Sequence, residues 1–452
     1  MPHSKHAHFK HKYCLLKVKL HYKTLNLNAF RRVWKIGRLL LIASIYKSIS
    51  YLSPMHPNIQ DLYTIANKPS RKIIGLMSGT SLDGLDIALC SITGAGVQTS
   101  VVLDHFTTVA YSPAFKEKVL SIFSKQNISL AQLCVMHPWI ASEHAKMVKD
   151  SLSSWNVQPT EVDLIASHGQ TIFHAPKSLH PNDEFGTATL QIGDGDHIAT
   201  GTGIITISDF RQKHIAAGGE GAPLAIYGDY LLCSHATENR VLLNIGGIAN
   251  FTYLPANGKL NQVFSTDTGP GNTLMDAYTR KHFEGISYDK DAHIAKQGTI
   301  HRELLDLLKK DSFFSLPFPK TIGPELFNLE YLNEAQLKMG IVLSDQDIMA
   351  TLNRFTAETI AAAIQNNLPS TISFTIYVSG GGMHNSLLMA NLNSLLPNVS
   401  IASSIEIGIH PDAKEAILFA LLANEAVAGS PLLAGGHSTK VPTTMGKISF
   451  PH

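Results

Sequence analysis

The sequence is poor in cysteine, in charge and in long apolar runs. Its 452 residues include four cysteines and no Cys-x-x-Cys pair, which excludes a disulfide scaffold and a cysteine-based zinc site and suits a reducing compartment. Charged residues make up 16% of the chain and hydrophobic residues 44%, a balance that excludes a disordered or acidic solvating chain. At about 100–200 residues per domain, the length predicts two or three domains.

Acidic residues are missing altogether from residues 1–60, which hold eleven Lys and Arg; the first acid is Asp61. Subtracting these eleven from the 37 basic residues of the chain leaves 26 basic and 35 acidic residues in 61–452, a net charge of −9. The charge of +2 for the whole chain therefore comes from its N-terminal tail. The body lacks the basic character that is typical of nucleic-acid binders.

The tail shows no clear targeting pattern. Its apolar run, residues 39–45, is far shorter than the roughly 20 residues that span a membrane, and it lies too late for a signal peptide. A targeting extension, a basic arm and sequence translated from an early start codon are the three interpretations. The third is favoured because Met55 closely precedes the first well-patterned strand. We expect residues 1–70 to be a dispensable extension, disordered or mis-started.

Apolar runs bounded by glycine and polar residues predict strands throughout the body. The runs 71–78, 85–92 and 101–110 have short connections and predict an antiparallel meander. A second strand–turn–strand at 241–254 resembles the first. Further strands are predicted at 162–167, 189–192, 203–208 and 374–379, and helices at 129–154, from about 272, at 345–367 and at about 412–428.

This alternation indicates an α/β protein built from two similar parts with a cleft between them. We expect residues 71–240 to form the first domain and residues 241–411 the second. The helix at about 412–428 is expected to join the first domain.

A glycine turn separates the first two predicted strands, and no Walker sequence with GKS or GKT occurs anywhere. Such a turn brings backbone N–H groups and hydroxyls to phosphate oxygens, and its Asp83 could hold Mg²⁺ through water. The alternative is a hairpin turn in which glycine and aspartate serve geometry alone. The candidate phosphate-binding residues are Gly79, Thr80, Ser81, Leu82, Asp83, Gly84, Leu85 and Asp86.

Two further motifs stand at predicted strand ends in the second part of the body. Asp267 follows a strand and precedes a Gly-Pro-Gly turn, a position that faces the cleft of an open sheet. It could be a general base, a metal ligand or a helix cap, although Asn272 is the better cap. The run Gly380–Gly382 could lie flat against a base or ribose, or form an ordinary strand-to-helix loop.

Charged side chains gather around a glycine-rich stretch of the first part. Asp209, Arg211 and Lys213 are predicted to lie, together with residues 216–223, on a glycine-rich loop, and cations there suit an anionic substrate. The alternative is a solvated surface.

Two single residues have a structural and a functional interpretation. His168 closes a predicted strand, and a lone histidine is more often structural than catalytic. Glu415 lies in the first turn of the last helix, and the alternative to a functional role is that this acid only opposes the helix dipole.

In their order along the chain, these motifs resemble the 1,6-anhydro-N-acetylmuramic acid kinase family. The resemblance covers about residues 70–450 and leaves residues 1–70 outside. The matching pieces are GLMSGTSLDGLDIAL (75–89), SHGQTIFHAP (167–176), QIGDGDHIA (191–199), SDFRQKHIAAGGEGAPL (208–224), LNIGGIANFT (243–252), DTGPGNTLMDA (267–277), YDKD (288–291), FNL (327–329), VSGGGMHNSLLM (378–389) and KEAILFALLANE (414–425).

The resemblance implies the fold of the sugar kinase, actin and Hsp70 ATPases: two domains of related ribonuclease H-like topology around a central cleft for ATP and sugar. Residues 79–86 would form the first phosphate loop, and Gly380, Gly381 and Gly382 would border the adenosine. The second phosphate loop would contain Asn244, Gly246 and Gly247. The implied cofactors are ATP and Mg²⁺, with Asp83 as the metal residue.

The implied reaction makes a specific chemical demand. It converts 1,6-anhydro-N-acetylmuramic acid into N-acetylmuramic acid 6-phosphate, and O6 of the substrate is bonded to C1. Water must therefore attack C1 while O6 leaves and takes the γ-phosphoryl group. The family motif makes Asp267 the base that activates this water and Glu415 the second acid at the sugar.

The resemblance assigns Asp209, Arg211 and Glu415 to substrate binding, and Lys213 is a further candidate because a cation there suits an anionic substrate. The sequence departs from the family pattern at 212–214 and at Glu220, which leaves the contacts to the lactyl carboxylate open. The implied protein is a cytoplasmic transferase of peptidoglycan recycling and amino-sugar metabolism. It would bind a small sugar and no nucleic acid or membrane, with a homodimer left open.

Two alternatives remain at this point. One is a kinase of the same fold that acts on another amino or anhydro sugar. The other is a non-enzymatic, ATP-gated binding protein of the actin or Hsp70 type, which would need the ATP contacts but no base at Asp267.

Overall fold

The computed structural model describes residues 34–35, 37–38, 55–177, 184–222, 224–322, 326–369, 371–408, 410–431 and 443–452. The chain divides into two units, Met1–Ile59 and Gln60–His452, and the fold described below belongs to the second. Most of the predicted extension, residues 1–70, lies outside the described residues. That interpretation stays a prediction, as do the domain boundaries at 71–240 and 241–411.

Strands and helices alternate along the described body. The strands are β1 (Ser70–Ser78), β2 (Gly84–Thr93), β3 (Ser100–Ala110), β4 (Leu164–Ala175), β5 (Ala188–Ile192), β6 (Thr206–Ser208), β7 (Asn239–Ile245), β8 (Ile248–Leu254), β9 (Phe264–Pro270), β10 (Phe374–Ser379), β11 (Ser400–Ser403) and β12 (Lys447–Ser449). The helices are α1 (Pro57–Ala66), α2 (Pro113–Leu120), α3 (Leu130–Ser154), α4 (Gly195–Thr202), α5 (Phe210–Ala216), α6 (Ala225–Cys233), α7 (Thr273–His282), α8 (Arg302–Leu308), α9 (Leu329–Met339), α10 (Asp345–Asn367), α11 (Ser386–Leu395) and α12 (Lys414–Ala428). None of these described helices is long and apolar enough to cross a membrane.

The strands form two sheets that share one topology. The first sheet has the order β12-β6-β4-β1-β2-β3 with β5 beside β4, and the second has the order β11-β10-β7-β8-β9. In each, an antiparallel three-strand meander is extended by two parallel strands, β4 and β6 in the first and β10 and β11 in the second. This repeat confirms the predicted α/β fold with two halves of related, ribonuclease H-like topology.

The central strand of the first sheet is buried on both faces. Ile74 and Leu76 of β1 lie in a core that includes Ile140 and Val148 of α3, whereas Ile73 and Met77 lie in a core that contains most of α12. Strands covered on both faces have continuous apolar sequences, which explains why the run 71–78 is apolar without alternation.

Helix α12 lies in a core shared by the two sheets. The same cluster contains Ile73 of β1, Phe419 and Leu421 of α12, Leu242 of β7 and Leu254 of β8. The opposite face of the second sheet packs on α10 and α11 in a separate core. The last helix of the chain is therefore packed against strands of both sheets.

Several predicted boundaries are close to those observed. Ser129 caps α3 by accepting a hydrogen bond from the N–H of Gln132 (3.3 Å), and the helix at 345–367 and the strand at 374–379 are found as expected. The strand predicted at 162–167 is wrong in length, because β4 continues to Ala175. Residues 170–175 remain extended because β5 pairs with them.

The contact of α12 with β1 leaves no room for a side chain at Gly75, since a Cβ there would overlap the carbonyl group of Ala416. We expect Gly75→Ala to lower the free energy of unfolding by about 1–3 kcal/mol, the usual cost of overpacking. Urea denaturation would measure it. Gly186→Ala is the control, because none of the described residues lies within 4 Å of a Cβ at Gly186. Equal stability of the two variants would contradict the proposed close packing.

Candidate active site

The first glycine turn connects β1 to β2 and presents polar groups to solvent. Thr80, Ser81 and Asp83 are exposed, while the side chain of Leu82 is only 3% exposed and lies in the core beneath the turn. Leu82 has a φ of 56°, a left-handed conformation that is uncommon for a leucine. The buried leucine thus anchors a turn whose other side chains are free to face a ligand.

Both ends of this turn are held by Tyr111. Its N–H donates to the carbonyl of Asp83 (3.1 Å), and its hydroxyl hydrogen-bonds to Ser78 Oγ (2.7 Å) and His144 Nε2 (2.9 Å). Gln170 adds a hydrogen bond from its Nε2 to the carbonyl of Gly79 (3.4 Å). Burial raises the pKa of the Tyr111 hydroxyl and lowers the pKa of His144 to about 4. The network is therefore uncharged near neutral pH.

The second glycine turn, Gly246-Gly247, joins β7 to β8 and packs on the start of α7. The N–H groups of Gly271 and Asn272 donate to the carbonyls of Gly247 and Gly246, both at 2.8 Å. A Cβ at Gly271 would overlap the carbonyl of Gly246, so glycine is required there for this close approach. Asn272 begins α7 but makes no side-chain cap; its Nδ2 instead donates to Ile245 O (3.4 Å).

The triple glycine follows β10 and lies against the same turn. Gly380 has a φ of 83°, and a Cβ there would come within 2.7 Å of Asn244 Oδ1. A Cβ at Gly382 would overlap the side chain of Ile245. Asn244 is further tied to β10 by a hydrogen bond from Ser379 Oγ (3.5 Å). The structure thus brings the second turn and the triple glycine together at the ends of two neighbouring parallel strands.

Asp267 lies within β9, three residues before its end, and not after the strand as predicted. The strand extends past Asp267 because its backbone N–H donates to Lys320 O (2.9 Å), which supplies a partner on its free side. The carboxylate Oδ2 accepts a hydrogen bond from the N–H of Ile322 (2.8 Å). Burial raises the pKa of Asp267 to about 6, although this hydrogen bond lowers it. Such a carboxyl is ionised at neutral pH and still basic enough to take a proton.

Glu415 lies in the first turn of α12. Its side chain is exposed, yet surrounding protein desolvates it and raises its pKa, while Arg211 lowers it and the negative charge of Asp86 raises it. A side chain that solvent can reach and that neighbouring protein nevertheless desolvates lies in a recess of the surface. Asp267 is not among the charges that act on Glu415; it lies on β9 of the second sheet, whereas Glu415 lies at the start of α12.

Arg211 is oriented by a histidine. Its Nε donates to His168 Nε2 (2.9 Å) and its Nη1 to Gly221 O (2.7 Å). Burial, with a further contribution from Arg211, lowers the pKa of His168 to about 3, so the imidazole is a neutral acceptor. Of the two interpretations of His168, the structure favours the structural one.

The remaining candidate side chains are placed differently from Arg211. Residues 210–216 form α5 and not the loop that the glycine content predicted, because Gly218 and Gly219 only follow the helix and close its last turn. Asp209 accepts a hydrogen bond from Lys447 Nζ (2.8 Å). Lys213 is exposed on the helix. Thus Arg211, and neither Asp209 nor Lys213, is among the charges that lower the pKa of Glu415.

Several residues of this region carried no clear sequence signal. Tyr111 and Gln170 act through partners that are 33 and 92 residues distant. Asp276 in the first turn of α7 also has its pKa raised to about 6 by burial; the available signal is an acid at the start of the helix that follows a glycine turn. Lys414 forms an ion pair with the buried Asp229 (2.7 Å).

Two related sheets, each with a glycine turn after its first strand, define the class of actin-like ATPases and sugar kinases. The family described as anhydro-N-acetylmuramic acid kinase matches residues 71–449, and the chain belongs to this family.

Comparison with individual proteins leads to the same family. The chain is similar to the anhydro-N-acetylmuramic acid kinase of Pseudoalteromonas atlantica, with 54% identity over 88% of this chain and 100% of that protein. It is 55% identical to the anhydro-N-acetylmuramic acid kinase of Pseudoalteromonas translucida, over 88% of this chain and 100% of that one. Among solved structures, the activator of the 2-hydroxyisocaproyl-CoA dehydratase from Clostridium difficile with bound ADPNP has a TM-score of 0.36 at 10% identity, over 79% of this chain and 95% of that chain.

The environment of Asp267 predicts an unusual titration. We expect its carboxyl to titrate with a pKa of about 6, so that it is protonated below that pH and ionised above it. Carbon-detected NMR of protein labelled at the aspartate carboxyl groups would measure this, with Asp267→Asn identifying the signal. A midpoint at the ordinary value of about 4 would contradict the described burial.

Proposed function

We infer that this chain is the ATP-dependent kinase of 1,6-anhydro-N-acetylmuramic acid, which opens the anhydro ring with water and phosphorylates O6. The products are N-acetylmuramic acid 6-phosphate and ADP, in the recycling of cell-wall sugar. Membership of the family supports the reaction. Within the structure, the observation that carries it is Asp267: a half-buried carboxyl with a raised pKa, held by the backbone on a strand beside the glycine turn of the second sheet.

The proposed mechanism assigns Asp267 to the water that opens the ring. As the water oxygen bonds to C1, Asp267 accepts the proton that the water loses. The C1–O6 bond breaks, and O6 forms a new bond to the γ-phosphorus. The bond from that phosphorus to the bridging oxygen breaks, and ADP leaves. A scaffold that only binds ATP would not need this base.

The two glycine turns supply the phosphate side of the proposed site. Their short side chains let backbone N–H groups approach phosphate oxygens, and Thr80 and Ser81 add exposed hydroxyls. Preorganised donors of this kind stabilise the charge that develops during phosphoryl transfer. The surface at Gly380–Gly382 would border the adenosine.

Acidic side chains near the first turn suit a hydrated Mg²⁺. Burial raises the pKa of Asp86, and the negative charges of Asp412 and Asp83 raise it further, so a cation would relieve the repulsion that Asp86 experiences from these two carboxylates. In the described part of the chain, no three such side chains converge closely enough to bind a metal alone. We propose that Asp83 holds Mg²⁺ through water, since Mg²⁺ keeps several waters beside one or two carboxylates. Bound there, Mg²⁺ would neutralise phosphate charge.

Arg211 and Glu415 would form the sugar side. Two nitrogens of Arg211 bind protein groups, and its second terminal nitrogen makes no hydrogen bond within the described residues. That nitrogen is available to an anionic substituent of the sugar, such as a carboxylate. Glu415 would accept a hydrogen bond from a sugar hydroxyl or from water. Asp209 and Lys213 would act at the margin of this group. We place the reaction in the cytoplasm, where ATP is available, and a homodimer is compatible with it.

Mass spectrometry of the product tests the function. Incubated with ATP, Mg²⁺ and 1,6-anhydro-N-acetylmuramic acid in ¹⁸O-water, the protein should form N-acetylmuramic acid 6-phosphate with the label at C1. Label on the phosphate would mean that water attacks ATP, and absence of the sugar phosphate would mean that the substrate is a different one.

Asp267→Asn is the matched variant for this assay, because it keeps size and shape and removes the base. Turnover should fall by about 10²–10⁴, the usual contribution of general-base catalysis, while ATP still binds. Ring opening and phosphorylation should be lost together. Ring opening that persists without phosphorylation would contradict the coupled mechanism.

Removal of the Asp83 carboxylate tests the metal assignment. We expect Asp83→Ala to raise the Mg²⁺ concentration for half-maximal rate by about 10–100-fold, as loss of a water-mediated ligand usually does, with the fold intact. Asp104→Ala, which removes an exposed acid elsewhere on the meander, should leave the Mg²⁺ dependence unchanged. The same Mg²⁺ dependence in both variants would mean that the first glycine turn serves geometry alone.

A further inference from the structure

The edge of the second sheet at β9 is covered by a short stretch of chain, residues 320–322. The N–H of Asp267 donates to Lys320 O (2.9 Å), and the N–H of Lys320 donates to Thr266 Oγ1 (3.1 Å). The N–H of Ile322 then donates to Asp267 Oδ2 (2.8 Å). The same three residues therefore hold Asp267 by its backbone and by its carboxylate.

This segment is fixed by an unusual side chain. Lys320 is only 7% exposed, and its Nζ donates to the carbonyl of Phe313 (2.8 Å). The ammonium lies 4.4 Å from the ring centroids of both Phe313 and Phe318, and 5.9 Å from that of Phe314. No ion pair with Lys320 is found within the described residues. We call this arrangement of one carbonyl and three rings the Lys320 cage.

A buried cation without a carboxylate partner is costly, and burial lowers the pKa of Lys320. A methionine would fill the space among the phenylalanines without that cost. What methionine cannot do is donate a directional hydrogen bond to Phe313 O or lie electrostatically against the rings. The ammonium thus fixes the position of residue 320 relative to residue 313.

The cage also reaches the strand that carries Asp267. Gly269, two residues further along β9, packs so closely on Phe314 that a Cβ there would be 3.2 Å from the ring. Phe314 is packed in turn on Phe327 and Phe355. Phe314 of the cage is therefore held by the core of the second part of the chain, and it packs on β9 at Gly269.

We propose that Lys320 is a positioning residue for Asp267: its caged ammonium fixes residues 320–322, whose backbone holds the carboxylate in the orientation that a general base requires. The proposal rests on the role of Asp267 given above. It adds a residue that touches neither ATP nor sugar and acts through two backbone N–H groups and one carbonyl.

Lys320→Met in the full chain tests this, because it keeps the length and volume of the side chain and removes the charge and the donor. Loosening of the segment should weaken the hydrogen bond from Ile322. Since that bond stabilises the ionised form, the pKa of Asp267 should rise, by about one unit. Burial and the Ile322 N–H are the influences on this carboxyl, and no charged side chain among the described residues contributes.

Two measurements read the change. Carboxyl NMR without substrate should show the higher midpoint of Asp267. In the kinase assay, kcat should fall by roughly 10–100-fold, the scale of a small misplacement of a reacting group, while KM for ATP changes by less than about twofold. The acid limb of kcat/KM should move to higher pH, since the base is protonated over a wider range. A lower kcat with an unmoved midpoint would overturn the proposal and leave Lys320 a structural residue.

Controls separate the proposal from general destabilisation and from the proposed function. Lys309→Met removes an ammonium that binds Glu358 (2.6 Å) away from this segment, and it should change neither the titration midpoint of Asp267 nor kcat.

If Lys320→Met does not fold, Thr266→Val is the second variant, because it removes the hydroxyl that ties the segment to β9. It should also raise the titration midpoint of Asp267; an unchanged midpoint would overturn the proposal. Because the titration needs no substrate, an inactive wild-type protein would refute the function without obscuring this result.

Discussion

The direct packing of α12 on the backbone of β1 is the contact on which the rest of the structure depends. Because Gly75 has no side chain, the helix lies against the strand itself at Ala416. This approach brings the first turn of α12, with Glu415, to the end of the first sheet where the glycine turn 79–83 begins. The same helix continues into the core shared with the second sheet. One close contact thus places a charged residue of the site and joins the two sheets.

A buried charge pair accompanies this helix. Asp229 of α6 is 2% exposed and binds Lys414 Nζ (2.7 Å) and the hydroxyl of Thr252 on β8 (2.7 Å). Burial would lower the pKa of Lys414, and the attraction of Asp229 raises it. Since Lys414 immediately precedes Glu415, the pair ties the start of α12 to α6 and, through Thr252, to the second sheet. Separation of Lys414 from Asp229 would leave an uncompensated buried charge. The position of the first turn of α12 is therefore strongly favoured.

Local patterns were sufficient to predict much of this fold. The meander β1–β3, α3 with its Ser129 cap, α10 and β10 all follow from apolar runs and end signals that lie within the elements. The glycine turns were visible for the same reason. By contrast, the full length of β4 depends on its pairing with β5, and α5 forms where glycine content indicated a loop. Contacts between distant residues decide both.

The candidate site divides along the same line. Asp267, Glu415 and the glycine turns could be selected because their motifs are local, although nothing local shows that Asp209 pairs with Lys447 while the charge of Arg211 acts on Glu415. The residues that support the site have no local sequence signal, because their partners lie on distant elements of the fold. Tyr111, Gln170 and Lys320 have ordinary sequence surroundings, and each is informative only through a partner on another element.

The order of the strands also constrains when the protein can fold during its synthesis. The first sheet begins with β1 at Ser70, yet it is completed by α12 and by β12, which pairs with β6 within the last few residues of the chain. All strands of the second sheet lie between these points in the sequence. A ribosome therefore releases every strand of the later sheet before the earlier one has its last strand and its covering helix. The first sheet is therefore synthesised first and completed last. The face of β1 that α12 covers in the finished fold stays exposed until this C-terminal helix has been made.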